Sequence, residues 1–128
     1  MRIGLTEIFV DDQEKAHTFY TEVLGLRVKT DVPYSDTARW LTVVPPEDPH
    51  GTELLLSPMN DAAAALQASR RAAGSPAISF STDDCRRTYE ELKARGAVFV
   101  SEPKQMDYGG TDAVFEDRCG NLLNLHQE

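Results

Sequence analysis

The chain is poor in the residues that most site chemistry needs. It has three histidines and two cysteines in 128 residues. Cys85 and Cys119 stand far apart and form no Cys-x-x-Cys pair. That excludes the common cysteine zinc signatures and reads as free thiols in a reducing cytoplasm. No stretch reaches the roughly 18 consecutive apolar residues of a membrane-spanning helix. Basic residues are outnumbered, 13 Lys and Arg against 21 Asp and Glu, for a formal net charge of −8. The densest basic stretch is the pair Arg70-Arg71. Such a chain repels phosphate backbones, so neither nucleic acid nor a membrane is expected as a partner. The surplus acid favours solubility and would suit a cationic ligand. There is no Gly-x-Ser-x-Gly and no Gly-x4-Gly-Lys-Ser/Thr, the marks of a serine nucleophile elbow and a phosphate loop. The opening MRIGLTEIFV carries one basic residue and turns directly into strand-like sequence, so no export signal is expected there.

What is present is the balance of a globular chain, 41% hydrophobic and 27% charged, long enough for one domain over residues 1–128. IGLTEIFV at 3–10 reads as a strand. Asp11 or Asp12 can cap the helix that follows, and Asp11 with Glu14 has capping-box spacing. Ala16, Phe19, Tyr20, Val23 and Leu24 recur at three- and four-residue steps and make one apolar helix face that Gly25 ends. Three β-like runs follow at 26–32, 39–44 and 52–56. The alanine-rich segment 61–73, with Leu66 as its one large apolar side chain, is expected to be a surface connector helix.

The order then starts again. Residues 77–82 read as a strand, Asp83-Asp84 as caps, and Cys85, Tyr89 and Leu92 as a helix face closed by Gly96. Strands are expected at 98–100, near 105–108, at 111–116 and at 122–126. Asp11-Asp12 matches Asp83-Asp84 at an offset of 72 residues. GTELLL at 51–56 echoes GNLLNL at 120–125. Two ordered copies of β-α-β-β-β argue for an internal duplication. The modules fall at 1–58 and 76–128, with the connector helix within 59–75. The fold class expected is α+β.

Three patterns carry a family resemblance: V-D-D-x4-A-x2-F-Y-x4-G-L at 10–26, D-x5-Y-x2-L-x3-G at 84–96, and F-E-D-x2-G-N at 115–121. In this order and spacing the sequence resembles the vicinal oxygen chelate superfamily, the glyoxalase, bleomycin-resistance and dioxygenase group. The resemblance implies that each module makes a curved half-sheet, and that two modules, often from two subunits, form a cup with helices outside. It therefore implies a homodimer. It also implies a divalent metal held by His or Glu on the first and last strand of each module. Carried over one at a time, those positions fall on Leu5, on Leu54 or Leu55, on Ala77 and on Asn124. Alkyl groups cannot coordinate a cation, and one carboxamide is a weak ligand alone. The expected cofactor is therefore none.

Strand alternation extends the reading to side chains. Leu5, Glu7 and Phe9 share a face, as do Asn124 and His126, and these are expected to line the cup. Glu7 either meets a ligand, with a role as acid–base, or pairs across a wet cup with a residue such as Arg39. Trp40 shares a face with Thr42 and Val44 and is assigned to the cup, since Leu41 and Val43 suit the helix side. Tyr108 and Phe115, flanking Gly109-Gly110, are a candidate second aromatic wall. His17 reads as a helix-flank residue and His50 as a loop residue. The ligand-binding set is therefore Leu5, Glu7, Phe9, Trp40, Tyr108, Phe115, Asn124 and His126. The function expected is metal-free binding of a small amphipathic or cationic molecule, resembling the bleomycin-resistance members. The alternative is a lyase, isomerase or dioxygenase-like enzyme with relocated metal ligands or with Glu7 as acid–base.

Overall fold

The computed structural model describes residues 1–128. In chain order the elements are β1 (Leu5–Val10), α1 (Gln13–Thr18) continued by a π-helical turn (Phe19–Val23), β2 (Arg27–Pro33), β3 (Arg39–Val44), β4 (Glu53–Pro58), α2 (Asp61–Ala72), β5 (Ile78–Ser81), α3 (Cys85–Ala94), β6 (Lys104–Gln105), β7 (Thr111–Glu116) and β8 (Leu122–Gln127). They build two four-stranded mixed sheets, ordered β1-β4-β3-β2 and β5-β8-β7-β6. In each, the first strand runs parallel to the last, and the other pairs are antiparallel. The expected α+β class and the repeated module are both found. Neither sheet closes into a barrel, as a cup-shaped sheet requires.

The helix starts are set by side chains. Asp12 accepts the Lys15 amide at 3.0 Å, and Asp84 accepts the Arg87 amide at 3.0 Å. So the second acid of each Asp-Asp pair is the cap, satisfying an N–H that the helix cannot. Asp11 instead pairs with Lys15 at 3.1 Å, and Glu14 with Arg39 at 2.9 Å, so the expected Asp11–Glu14 capping box does not form. The first helix is not α-helical throughout. From Phe19 it widens, with Leu24 N–H donating to the Phe19 carbonyl at 3.1 Å. This wider turn buries Phe19, Tyr20 and Val23 together, and Gly25 ends it at φ +77.

Alternation divides each sheet into a helix face and an open face. Ile8, Val10, Leu41, Val43, Leu54 and Leu56 point to the helices in module one; Ala113, Phe115, Leu123 and Leu125 do so in module two. With Ala16, Phe19, Tyr20, Val23, Cys85 and Leu92 they form one core shared by both modules. Each large aliphatic or aromatic side chain fully buried there contributes about 1.5–3 kcal/mol.

Two expectations about module two need correction. Residues 98–100 run beside β7, but only Phe99–Phe115 forms a regular bridge. Ser101 Oγ accepts the Val114 amide at 2.9 Å, taking a donor that a further strand residue would have bonded. The short strand expected near 105–108 is confined to Lys104–Gln105, because Met106–Gly110 closes into a turn through the Gly109 and Met106 amides. The connector α2 is a surface helix as expected. Asn60 caps it at 2.8 Å, and only Ala63 is buried.

Candidate ligand-binding site

The open faces carry the candidate residues. In parallel pairing, register partners share a face, so Glu7–Leu55 and Ser79–Asn124 point the same way. Leu54 pairs with Thr6 and lies in the core, so Leu55 is the residue on the open face. Module one presents Leu5, Glu7 and Phe9 from β1, Leu55 and Ser57 from β4, and Trp40 and Thr42 from β3. Trp40 is 43% exposed, while Leu41 and Val43 are buried on the helix side. Leu5 is 42% and Val32, the partner of Trp40 on β2, is 56% exposed. This is apolar area with nothing over it.

Glu7 is neither buried nor paired with Arg39. It is exposed, and it accepts the Ser57 hydroxyl at 2.5 Å across the β1–β4 ladder. Arg39 points to the helix face, where it meets Glu14 and Asp31. Glu7 and Phe9 open onto a small cleft of about 140 Å³ beside α2, with Leu66, Gln67, Arg70 and Asn121.

Module two presents Ser79 and Ser81 from β5, Asn124 and His126 from β8, and Asp112 from β7. Asp112 was not among the expected residues, yet it organises this face. Its carboxylate accepts the Tyr108 hydroxyl and lies 2.5 Å from His126 Nδ1. Burial pushes the Asp112 carboxyl up, but hydrogen bonds from Tyr108, His126 and Asn124 together outweigh it, and the group lies below its ordinary value. Asn124 also donates to Ser79 Oγ at 3.1 Å. Asp112 is the register partner of His126, so an acid there faces the imidazole.

Phe115 does not belong to this face. It sits one position from Val114, so alternation turns it to the helix side. It is 1% exposed and stacks at 5.0 Å from Phe99, which in turn meets Tyr89 at 4.6 Å. The expected second aromatic wall therefore reduces to Tyr108, which is 71% exposed and held at its hydroxyl by Asp112. His17 is half-buried on α1 and His50 is exposed in the β3–β4 loop. The main clefts of the single chain are not lined by Trp40 or Asn124.

The turn between β7 and β8 holds the modules together. Asp117, fully buried, accepts the Cys119 and Asn121 amides at 2.7 and 3.0 Å, the Asn121 side chain at 2.7 Å and the Tyr20 hydroxyl at 2.8 Å. Asn121 in turn donates to the Phe9 carbonyl at 2.8 Å. The Phe-Glu-Asp-x2-Gly-Asn stretch is thus a clamp between β1, the first helix and the β7–β8 turn.

A family model described as glyoxalase/bleomycin resistance protein/dioxygenase superfamily matches residues 2–125. The chain belongs to that superfamily. Over the whole length of both chains it is 45% identical to the uncharacterized protein YurT of Bacillus subtilis. Among solved structures it is similar to UcmS2, at 32% identity and a TM-score of 0.84 over 100% of this chain and 98% of that one. It is also similar to TnmS3, an antibiotic binding protein from a Streptomyces, at 29% identity and a TM-score of 0.78 over 99% and 95%. The positions that the resemblance assigns to a metal are Leu5, Leu55 (rather than the core-facing Leu54), Ala77 and Asn124. Three alkyl side chains and a carboxamide do not fit a divalent cation. No three His, Cys, Asp or Glu side chains converge elsewhere in the chain to replace them.

Proposed function

We propose that the protein binds a small amphipathic or cationic molecule without a metal, in a cup completed by a second copy of the chain. The carrying observation is the uncovered apolar face of module one, Leu5, Val32 and Trp40, in a chain whose module two carries a hydrogen-bonding open face around Asp112 and His126. Ligand sites of this kind combine an apolar wall with a few polar groups that fix orientation. Apolar area of this kind left in water favours a partner or a ligand over it. The antibiotic-binding description of TnmS3 supports the same reading. Glu7, exposed and bonded to Ser57, supports a polar contact better than an acid–base role, which needs a tuned environment.

Trp40 is the only tryptophan, so its fluorescence reports on one open face. Acridine orange, a planar aromatic cation, should quench it saturably, and native mass spectrometry should show a dimer. Elemental analysis of the purified protein should find no stoichiometric transition metal. Fluorescence indifferent to the dye, or a tightly held metal at one per chain, would overturn the reading.

A further inference from the structure

The histidine on module two is held in one orientation. Asp112 lies 2.5 Å from His126 Nδ1, and the same carboxylate accepts the Tyr108 hydroxyl. In the neutral ring, a carboxylate at Nδ1 fixes the tautomer with the proton there and leaves Nε2 as a lone-pair acceptor. His126 Nε2 has no hydrogen-bond partner in the chain. The ring is also seated by a glycine. A Cβ on Gly110 would stand 2.7 Å from His126 Cε1 and 2.5 Å from the Gln127 carbonyl, and Gly110 has φ +80. Any other residue at this position is strained and displaces the imidazole.

We propose that Asp112 and Tyr108 are positioning residues that set His126 Nε2 as the hydrogen-bond acceptor for a protonated amine of the ligand. The proposal rests on the cup reading above and deepens it. The donor class follows from what else faces His126. An open pocket of about 610 Å³ in front of it is lined by Glu47, Ser81, Thr82, Asp83, Gln127 and Glu128. That lining contains no cation and no apolar side chain. An anionic or ionising hydroxyl would meet three carboxylates there, whereas an ammonium N–H meets an acceptor in a favourable field. The carboxylates alone would attract any cation. The fixed imidazole adds a demand for an N–H.

That demand gives a sharp experiment. Benzylamine and benzyltrimethylammonium share ring and charge, but only the first has an N–H to donate. Binding is followed on the full chain by two-dimensional NMR of the imidazole nitrogens, at a pH where their resonances are those of the neutral ring. In the free protein His126 should show the Nδ1-protonated tautomer; the Nε2-protonated form overturns the proposal. Benzylamine should shift the Nε2 resonance, and its affinity should fall about tenfold or more in His126→Phe and in Asp112→Asn. The trimethylated probe should bind all three proteins equally and leave Nε2 unmoved. Tyr108→Phe, at an exposed ring, keeps the fold and should loosen the tautomer preference, giving a smaller loss for benzylamine alone. Equal effects on both probes would mean the carboxylates act without the imidazole, and the proposal fails. If acridine orange still quenches Trp40 while benzylamine leaves His126 untouched, the cup reading stands and this inference falls. If neither probe binds anywhere, both fall.

Discussion

Tyr20 and Asp117, 97 residues apart in sequence, are joined by a 2.8 Å hydrogen bond with neither side chain open to solvent. Asp117 has no cation beside it in this arrangement. Four donors around its two oxygens take that place, and a buried carboxylate without them would be costly. Removing the Tyr20 hydroxyl deletes one of the four and changes little else. Tyr20→Phe is therefore expected to destabilise by about 1.5–3 kcal/mol, the range for a hydrogen bond to a charged group. Asp117→Ala orphans four donors at once and should cost more. Urea unfolding of the two variants checks both; equal, small losses would show that the clamp contributes little.

Alkaline pH should weaken the fold. Burial, then the Asp117 charge and the Asp117 hydrogen bond, hold the Tyr20 hydroxyl well above its ordinary value. Burial, then the charges of Asp117 and Asp11, push the Cys119 thiol up to about 12. Burial first, then Asp112, raises the Cys85 thiol. In the unfolded chain these groups lose protons near their ordinary values, about 8.5 for a thiol and 10 for tyrosine. The folded state then binds more protons than the unfolded one. Stability from these groups is complete below about pH 8 and falls as pH rises through the folded values. The urea midpoint should drop between about pH 8 and 11, and less in Tyr20→Phe with Cys119→Ser. A midpoint flat across that window would contradict the assignment.

The same burial makes both cysteines inert. A thiol must ionise to attack, and Cys85 and Cys119 are fully buried with raised pKa values. A colorimetric disulfide reagent at neutral pH is expected to label neither in the folded protein and both in denaturant. Rapid labelling of Cys119 in the native state would mean that the Arg118–Gly120 turn opens, which the Asp117 clamp should prevent.

The architecture was legible because it is written in local signals repeated twice: Asp-Asp caps, helix faces and glycine stops at matching offsets. The open-face residues of β1 and β8 follow from alternation once the family resemblance places Leu5 and Asn124 on that face. What was misread depended on neighbours in space. Phe115 flanks the Gly109-Gly110 turn as Tyr108 does, but its parity with Leu123 turns it inward. Of the two readings open for Glu7, pairing with Arg39 does not occur, because Arg39 sits on the opposite face with Glu14 and Asp31. Asp112 is not legible in the sequence, because only the β7–β8 register ties it to His126. Gln67 was invisible for the same reason. It reaches from α2 to the Cys119 carbonyl and to Asn121 at 3.1 Å each, anchoring a helix whose own apolar content is slight.

The split between helix face and open face can be tested with one pair of aromatic deletions. Phe115 is packed between Phe99 and the β8 leucines, so Phe115→Ala leaves a cavity in the shared core. The expected loss is about 3–5 kcal/mol in unfolding free energy, whether or not a ligand is present. Trp40→Ala removes a side chain already 43% exposed on the open face. It should cost far less in the monomer's stability, within about 1 kcal/mol, while weakening the dimer or the binding of an aromatic ligand. Denaturation curves, sedimentation and a dye titration on the two variants separate the effects. If Trp40→Ala destabilised the fold as much as Phe115→Ala and left assembly and dye binding intact, the open face of module one would be part of the core, and no cup would be built on it.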